Sequence, residues 1–229
     1  MTTDSSIDAP VRTESTDPYC LSDETAAALL TGAPWMRFAS IGDSLSAGTS
    51  DPSPGYRTLP WPERVRGVLQ LVNPSIAYLN TAEIGATTRK AVATQAERIV
   101  EFGPDLLHLP SGANDIFRPE PSYERIEDDL RELYGIAAST GATLTVFTLV
   151  KRFVVPRIPD FAERVSRVNA ITRQLATEHG ALLIDTWDHP INERPDLLSE
   201  DRIHLASAGQ AVLAAEVVRA LTSALNGVR

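Results

Sequence analysis

The sequence predicts an α/β protein, a three-layer α/β/α sandwich with a five-stranded parallel sheet. After Pro34, short apolar runs bounded by turn residues alternate with longer stretches in which apolar residues recur at the helical period. The connections between successive apolar runs are long enough for the crossovers that parallel strands require. Helices are therefore expected on both faces of the sheet.

Five strands and five longer helices are predicted in alternation along the chain. The strands lie at 35–41, 76–80, 105–110, 142–149 and 181–185. The helices lie near 59–71, 87–101, 121–139, 160–178 and 207–226. Apolar residues of the fourth helix fall at three- and four-residue steps, which predicts one inward face: Phe161, Val165, Val168, Ile171 or Thr172, and Leu175.

Residues 1–34 are predicted to form an N-terminal extension before the domain at 35–229. The first 20 residues are rich in Thr, Ser, Asp and Pro and carry almost no large apolar side chains, so a flexible tail is expected there. An Ala- and Leu-rich segment at 22–30 predicts a short helix that packs as a lid or a collar.

Bulk composition argues against several classes of partner. The chain has 229 residues, of which 43% are hydrophobic and 22% charged, as in ordinary single-domain globular proteins. A formal charge of −9, with no basic stripe, would repel a nucleic acid. There is no secretory signal and no apolar run of bilayer length, so a cytoplasmic protein without a membrane partner is expected.

No metal or organic cofactor is expected. Cys20 is the single cysteine, which leaves no intrachain disulfide and no cysteine-based metal cluster, and it is interpreted as an incidental thiol. Histidines and carboxylates do not fall at zinc-ligand spacing, and no phosphate-binding glycine loop is present.

Ligands of open parallel sheets bind beyond the carboxyl ends of the strands, so catalytic or binding residues are expected in the segments that follow the strands. The first strand is followed by Gly42-Asp43-Ser44-Leu45. A serine at this place can present its hydroxyl and its own backbone N–H to a cleft. A plain Asx or Ser turn before a loop is the alternative interpretation.

A candidate base follows the fifth strand, in Asp201-Arg202-Ile203-His204. The three-residue spacing lets the carboxylate of Asp201 orient the imidazole of His204, which can then accept a serine proton. Of the other histidines, His108 lies within a strand and His179 at a helix end, where packing or capping explains them. His189, in the loop after the fifth strand, stays open as an alternative base.

Two further segments contain candidate oxyanion donors. Asn114, in Gly112-Ala113-Asn114-Asp115 after the third strand, can donate from its side-chain amide, although the segment taken alone favours a plain Gly-Asn-Asp turn. Gly85, after the second strand, can offer a backbone N–H without a side chain that would block a substrate.

With these four segments in this order, residues 35–225 resemble the SGNH hydrolases, also called GDSL esterases and lipases, whose fold is a flavodoxin-like sandwich. The resemblance implies a triad of Ser44, Asp201 and His204 and an oxyanion hole of Ser44, Gly85 and Asn114. It departs from the family at Ala82, where a glycine is frequent. It departs again at the start of the last helix, where the family commonly has Ser or Thr two residues after the histidine and this chain has Ala206. Ser207 follows, and its spacing to Gln210 predicts a capping box.

The resemblance implies a serine hydrolase that cleaves a carboxylic ester of a small soluble substrate, such as an acetyl or short acyl ester, through an acyl-enzyme. An acyltransferase that uses the same acyl-enzyme with an alcohol or amine acceptor is an alternative, and a non-catalytic binding protein on the same fold is another. Arg118 and Arg152, after the third and fourth strands, are candidate substrate-binding residues. The sequence does not indicate an oligomeric state.

Overall fold

The sheet has the predicted architecture. In the computed structural model, which describes residues 12–153 and 155–227, five parallel strands lie in the order β2-β1-β3-β4-β5. They are β1 (Arg37–Ser40), β2 (Ala77–Asn80), β3 (Leu106–Leu109), β4 (Thr143–Phe147) and β5 (Leu182–Ile184). The strands are thus one to three residues shorter than predicted, because their ends turn into the loops that carry the candidate residues.

Helices cover both faces of this sheet and complete the three layers. They are α1 (Asp23–Leu29), α2 (Ser44–Ala47), α3 (Trp61–Val72), α4 (Thr88–Thr94), α5 (Ala96–Phe102), α6 (Tyr123–Ser139), α7 (Phe161–His179) and α8 (Ser207–Gly227). Helices α1, α3 and α8 pack together in one layer, and α4, α5, α6 and α7 pack together in the other. The fold class predicted from the alternation is confirmed.

Two helical features differ from the prediction. The single helix predicted near 87–101 is the pair α4 and α5, which meet at Gln95. The side chain of Gln95 is fully buried and pairs with both the N–H and the C=O of Gly42, each at 2.9 Å. The four-residue helix α2 was not predicted, and it begins at Ser44.

The inward face of α7 is confirmed, since all of its predicted apolar residues are buried. A polar residue on this helix, Asn169, is also fully buried. Its amide pairs with the N–H and the C=O of Leu149, at 2.8 and 2.9 Å. Asn169 thereby satisfies the backbone just beyond β4, where the ladder hydrogen bonds end.

The N-terminal extension is packed against the domain wherever the structure describes it. The predicted helix forms as α1, capped by Ser22, and packs on α3 and α8. Residues 1–11 of the predicted flexible tail lie outside the described residues. In the rest of that predicted tail, Asp17 is only 5% exposed. No helix of the described chain has the length and apolarity needed to cross a membrane.

Asp17 forms a buried cluster with Tyr56 and Arg194. Its carboxylate accepts a hydrogen bond from the Tyr56 hydroxyl at 2.7 Å and pairs with the Arg194 guanidinium at 2.5 Å. Burial raises the pKa of Asp17, but the hydrogen bonds from Tyr56 and the Tyr19 N–H, together with Arg194, hold it below its ordinary value. The cluster ties the extension to the loops that precede α3 and α8.

Replacing Asp17 with Ala is expected to lower the free energy of unfolding by about 3 kcal/mol at pH 7, because the change leaves a buried guanidinium with one partner fewer. A carboxyl with a lowered folded-state pKa stabilises the fold above its unfolded pKa, and that contribution is lost as pH falls through the folded value. The difference between Asp17→Ala and wild type should therefore shrink in acid. Urea denaturation at pH 7 and pH 3 measures it.

Asp23→Ala is the matched control from the same extension. Its ion pair with Arg57 is exposed, so its loss should cost less than about 1 kcal/mol. Equal destabilisation by the two substitutions would contradict the assignment of the stabilising contact to the buried cluster.

Candidate active site

Ser44 lies at the first turn beyond β1 and is the first residue of α2. The side chain of Asp43 caps this helix by accepting a hydrogen bond from the Leu45 N–H at 2.9 Å. Gly42 before it has φ +138°, and a Cβ there would lie 2.6 Å from Ser46 Oγ and 2.8 Å from the Pro110 Cβ. Only glycine fits where the chain turns from the strand into the helix.

Asp43 is the buried acid of this turn. Burial raises the pKa of its carboxyl to about 6, even though hydrogen bonds from the N–H groups of Leu45 and Ser46 act in the opposite direction. Its carboxylate is used as a helix cap rather than as a group that contacts His204 directly. It therefore orients the peptide groups around Ser44.

A continuous chain of hydrogen bonds joins Ser44, His204 and Asp201. The distance from Ser44 Oγ to His204 Nε2 is 2.8 Å, and the distance from His204 Nδ1 to Asp201 Oδ2 is 2.5 Å. Burial raises the pKa of Asp201, but hydrogen bonds from the backbone N–H and the imidazole of His204 lower it by more, so the pKa lies below its ordinary value. An ionised Asp201 can hold the imidazole with Nδ1 protonated, which leaves Nε2 free to accept a proton.

The loop of residues 198–205, which we call the acid/base loop, holds both partners of Ser44. An antiparallel bridge between Leu198 and Leu205 closes it, and the Ser199 N–H donates to the His204 carbonyl at 2.8 Å. Arg202 adopts φ +60°, an uncommon left-handed conformation for a residue with a side chain. This turn lets Asp201 Oδ1 accept the N–H groups of both Ile203 and His204, at 2.9 and 3.0 Å.

The other histidines are engaged elsewhere. His189, the alternative base, accepts a hydrogen bond from the Ile191 N–H through Nδ1 and has Nε2 3.5 Å from Glu216. His108 is fully buried between the rings of Trp61 and Phe147, and burial lowers its pKa to about 3. His204 is therefore the histidine that the fold brings to Ser44.

The segments that contain Gly85 and Asn114 lie together. The amide nitrogen of Asn114 donates to the Ala86 carbonyl at 3.0 Å, and its second N–H has no acceptor among the described residues. Gly85 has φ +76°, and a Cβ there would meet no atom within 4 Å, so the space beside it is open. Among the described residues, no acceptor pairs with the backbone N–H of Ser44 or of Gly85.

The turn around Gly85 is regular despite the departure at Ala82. Asn80 stabilises it in the manner of an Asx turn, because its Oδ1 accepts the Ala82 N–H at 3.0 Å. The amide group of Asn80 also donates to the Ser46 carbonyl at 3.2 Å. The Glu83 N–H then donates to the Gly42 carbonyl at 3.0 Å, which ties the Gly85 turn to the turn that contains Ser44.

Asp115 is a structural residue of the site that sequence reasoning missed. It is 5% exposed, and its Oδ2 accepts hydrogen bonds from the N–H and the hydroxyl of Thr88, both at 2.9 Å. This contact fixes the start of α4 against the short 3-10 helix Ala113–Phe117, which contains Asn114. The signal in the sequence was an acidic residue directly after Asn114. Its partner Thr88 is 27 residues away, so the local sequence does not indicate the pairing.

The capping box predicted at the start of α8 does not form. Gln210 does not bond back to Ser207, because its Oε1 accepts the Trp61 N–H at 3.0 Å and its nitrogen faces the carbonyls of Thr49 and Leu205. The Ser207 hydroxyl instead donates to the Asp51 carbonyl at 3.1 Å. A tertiary contact has replaced the local cap.

Arg118 and Arg152 lie on two open grooves beside this site. Arg118 follows the 3-10 helix of Asn114 and lines a groove of about 360 Å³ with Arg125 and Asp115. Arg152 lines a groove of about 720 Å³ with Arg202 of the acid/base loop. Neither arginine contacts Ser44. In the described residues, no group of three or more His, Cys, Asp or Glu is arranged to hold a metal ion.

Comparison with known proteins places this chain in a family. The model of the GDSL-like Lipase/Acylhydrolase family matches residues 40–212. An arylesterase of Vibrio mimicus is 25% identical over 186 residues, which cover 81% of this chain and 88% of that protein.

Solved structures share the fold. An acetylxylan esterase of Geobacillus stearothermophilus superposes with a TM-score of 0.66 at 22% identity, covering 83% of this chain and 94% of that one. The psychrotrophic esterase EstA of Pseudoalteromonas sp. superposes with a TM-score of 0.65 at 19% identity, covering 83% and 99%.

His204→Ala is expected to lower kcat/KM for a nitrophenyl ester by about 10⁴-fold, because Ser44 would lose its proton acceptor. His189→Asn is the control, since the asparagine oxygen can keep the hydrogen bond from Ile191, and it should leave the rate within about twofold. Steady-state kinetics on both purified variants provide the measurement. An active His204→Ala variant, or an inactive His189→Asn variant, would reverse the assignment of the base.

Asn114→Ala is expected to lower kcat by about 10²-fold to 10³-fold with a small change in KM, because an oxyanion donor acts mainly in the transition state. The structural contact of Asn114 is a single hydrogen bond to Ala86, so a thermal melt should shift little. A variant that raised KM but kept the wild-type kcat would show that Asn114 binds the ground state instead.

Proposed function

The chain belongs to the GDSL-like lipase/acylhydrolase family and is a carboxylic ester hydrolase, and from this premise we propose that it works through a Ser44–His204–Asp201 triad and an acyl-enzyme. The observation that carries the proposal is the 2.8 Å contact between Ser44 Oγ and His204 Nε2. It joins a hydroxyl and a base that are 160 residues apart in sequence.

In the first step, His204 Nε2 takes the Ser44 hydroxyl proton as Oγ attacks the ester carbonyl carbon. The tetrahedral intermediate then collapses, the bond to the alcohol oxygen breaks, and His204 returns the proton to the departing alcohol. In the second step, His204 takes a proton from water as the water oxygen attacks the acyl carbon. The bond from that carbon to Ser44 Oγ then breaks, and His204 returns the proton to Oγ as the acid leaves. Asp201 stabilises the imidazolium in both steps.

The oxyanion would be held by three donors, the N–H groups of Ser44 and Gly85 and the side-chain amide of Asn114. Two features support this set. The two backbone N–H groups have no acceptor among the described residues, and the Asn114 amide is already oriented by Ala86. Donors fixed in advance cost little reorganisation when charge develops on the carbonyl oxygen.

We propose a small soluble ester with an acetyl or other short acyl group as the substrate. The grooves that contain Arg118 and Arg152 are lined mainly by charged and polar side chains, which suits a polar alcohol portion better than a long acyl chain. The acetylxylan esterase among the similar structures, which by its name acts on acetyl esters, agrees with a compact acyl group. In this proposal, Arg118 and Arg152 contact the polar alcohol portion of the substrate.

Wild-type protein is expected to be labelled by a fluorophosphonate probe and to hydrolyse a short-chain nitrophenyl ester, whereas Ser44→Ala should do neither. Ser46→Ala is the matched control, because Ser46 lies in the same helix without contacting His204. Gel fluorescence and release of nitrophenol are the measurements. A wild-type protein that is neither labelled nor active would contradict the proposal and favour a binding protein.

The same assay separates hydrolysis from acyl transfer. With a candidate alcohol or amine present, a hydrolase releases the free acid as the main product, since water attacks the acyl-enzyme. Mass spectrometry of the products detects a transferred acyl group directly. A transferred product in excess over the acid would show that the chain is an acyltransferase.

A further inference from the structure

The segment of residues 49–53, which we call the bridging segment, leads from the nucleophile helix towards α3. It is not paired with any strand of the sheet. Apart from a hydrogen bond from the Thr49 N–H to the Ser44 carbonyl and one from the Tyr56 N–H to the Ser53 carbonyl, its hydrogen bonds are made to the acid/base loop and to α8. Because His204 lies between those two contacts in the chain, the bridging segment holds the base from both sides.

Asp51 makes the contacts to the acid/base loop. Its backbone N–H donates to Ser199 Oγ at 2.9 Å, and its carboxylate Oδ2 accepts the Glu200 N–H at 3.0 Å. The Ser199 N–H in turn donates to the His204 carbonyl, and the Ser199 carbonyl accepts a hydrogen bond from the Arg202 N–H at 3.0 Å. One residue of the bridging segment therefore fixes the turn that contains Asp201.

The start of α8 is held by the same segment. The Asp51 carbonyl accepts the N–H and the hydroxyl of Ser207, at 2.9 and 3.1 Å, and Ser53 Oγ accepts the Ala208 N–H at 3.1 Å. These donors belong to the first turn of a helix, whose N–H groups have no partner within the helix. The contacts satisfy them and fix the chain three residues after His204.

The carboxylate of Asp51 is not part of a surface ion pair. Asp51 is an exposed residue, yet among the described residues no Lys, Arg or His lies within salt-bridge distance of it. Its partner is the N–H of Glu200, the residue that precedes Asp201. A hydrogen bond to a fixed backbone donor determines position more narrowly than an exposed ion pair does.

We propose that Asp51 is a positioning residue, which keeps His204 Nε2 within hydrogen-bond distance of Ser44 Oγ by holding the acid/base loop through Glu200. This inference builds on the proposed function. Asp51 touches neither the substrate nor the reacting atoms, and it acts through Asp201 and His204. Without the Asp51 side chain, the turn before Asp201 loses the hydrogen bond from the Glu200 N–H and keeps the one between the Asp51 N–H and Ser199 Oγ. The conformation that aligns His204 with Ser44 then becomes less populated.

The test compares Asp51→Ala, Asp51→Asn and the control Asp188→Ala, which removes an exposed carboxylate from a loop near Lys151. Asp51→Ala is expected to lower kcat by about tenfold with KM within twofold of wild type, since one hydrogen bond is lost. Asp51→Asn should restore most of kcat, because its amide oxygen can still accept the Glu200 N–H. Asp188→Ala should match wild type.

A second measurement is independent of turnover. The short Nδ1–H hydrogen bond between His204 and Asp201 should give a far-downfield proton NMR signal in wild type, which we expect to weaken or broaden in Asp51→Ala and to remain in Asp51→Asn. Loss of activity in Asp51→Asn equal to that in Asp51→Ala would overturn the proposal, as would an unchanged signal in Asp51→Ala. If wild type hydrolyses no ester, the proposed function fails while the NMR comparison still tests Asp51.

Discussion

The proposed active site depends on a topological constraint, because its proposed base follows the strand that lies farthest from the proposed nucleophile on that side of the sheet. Ser44 follows β1 and His204 follows β5, and β3 and β4 lie between those strands. With strands about 4.8 Å apart, the chain after β5 must return by about 14 Å along the sheet edge to reach Ser44. Residues 185–206 make this return without a strand to guide them.

The contacts that hold this return come from the nucleophile side and from the N-terminal extension. Arg194, midway along it, is buried against Asp17 and Tyr56, and Asp51 holds the acid/base loop at its end. A buried ion pair adds less net stability than its Coulomb attraction suggests, but it disfavours every arrangement that leaves one charge unpaired. The buried pair of Asp17 and Arg194 therefore contributes more to fixing one conformation of residues 185–206 than to the free energy of unfolding.

The parts of the fold that periodicity determines were predictable from the sequence, namely five strands and the inward face of α7. The resemblance implied a triad of Ser44, Asp201 and His204, and these three side chains lie in one chain of hydrogen bonds. The pairings of Gln95 with Gly42, Asp115 with Thr88 and Asp17 with Arg194 were missed. Each of these pairings joins a side chain to a partner that is distant in sequence, and the local composition of one segment does not indicate that it pairs with the other. The left-handed turn at Arg202 was missed because its sequence contains no glycine or asparagine there.

The hydrogen bonds divide the site into two units with different tasks. Gly42 is the centre of the first, since its carbonyl accepts from Gln95 and Glu83, and the Glu83 carbonyl accepts from Ala86, which orients Asn114. This unit fixes Ser44, Gly85 and Asn114, the proposed nucleophile and oxyanion donors, relative to one another. The second unit is the acid/base loop, which is closed by its own bridge. Because the two units are built separately, in the proposed mechanism small displacements between them would alter proton transfer to His204 while leaving oxyanion stabilisation intact, and the contacts that join the units would limit those displacements.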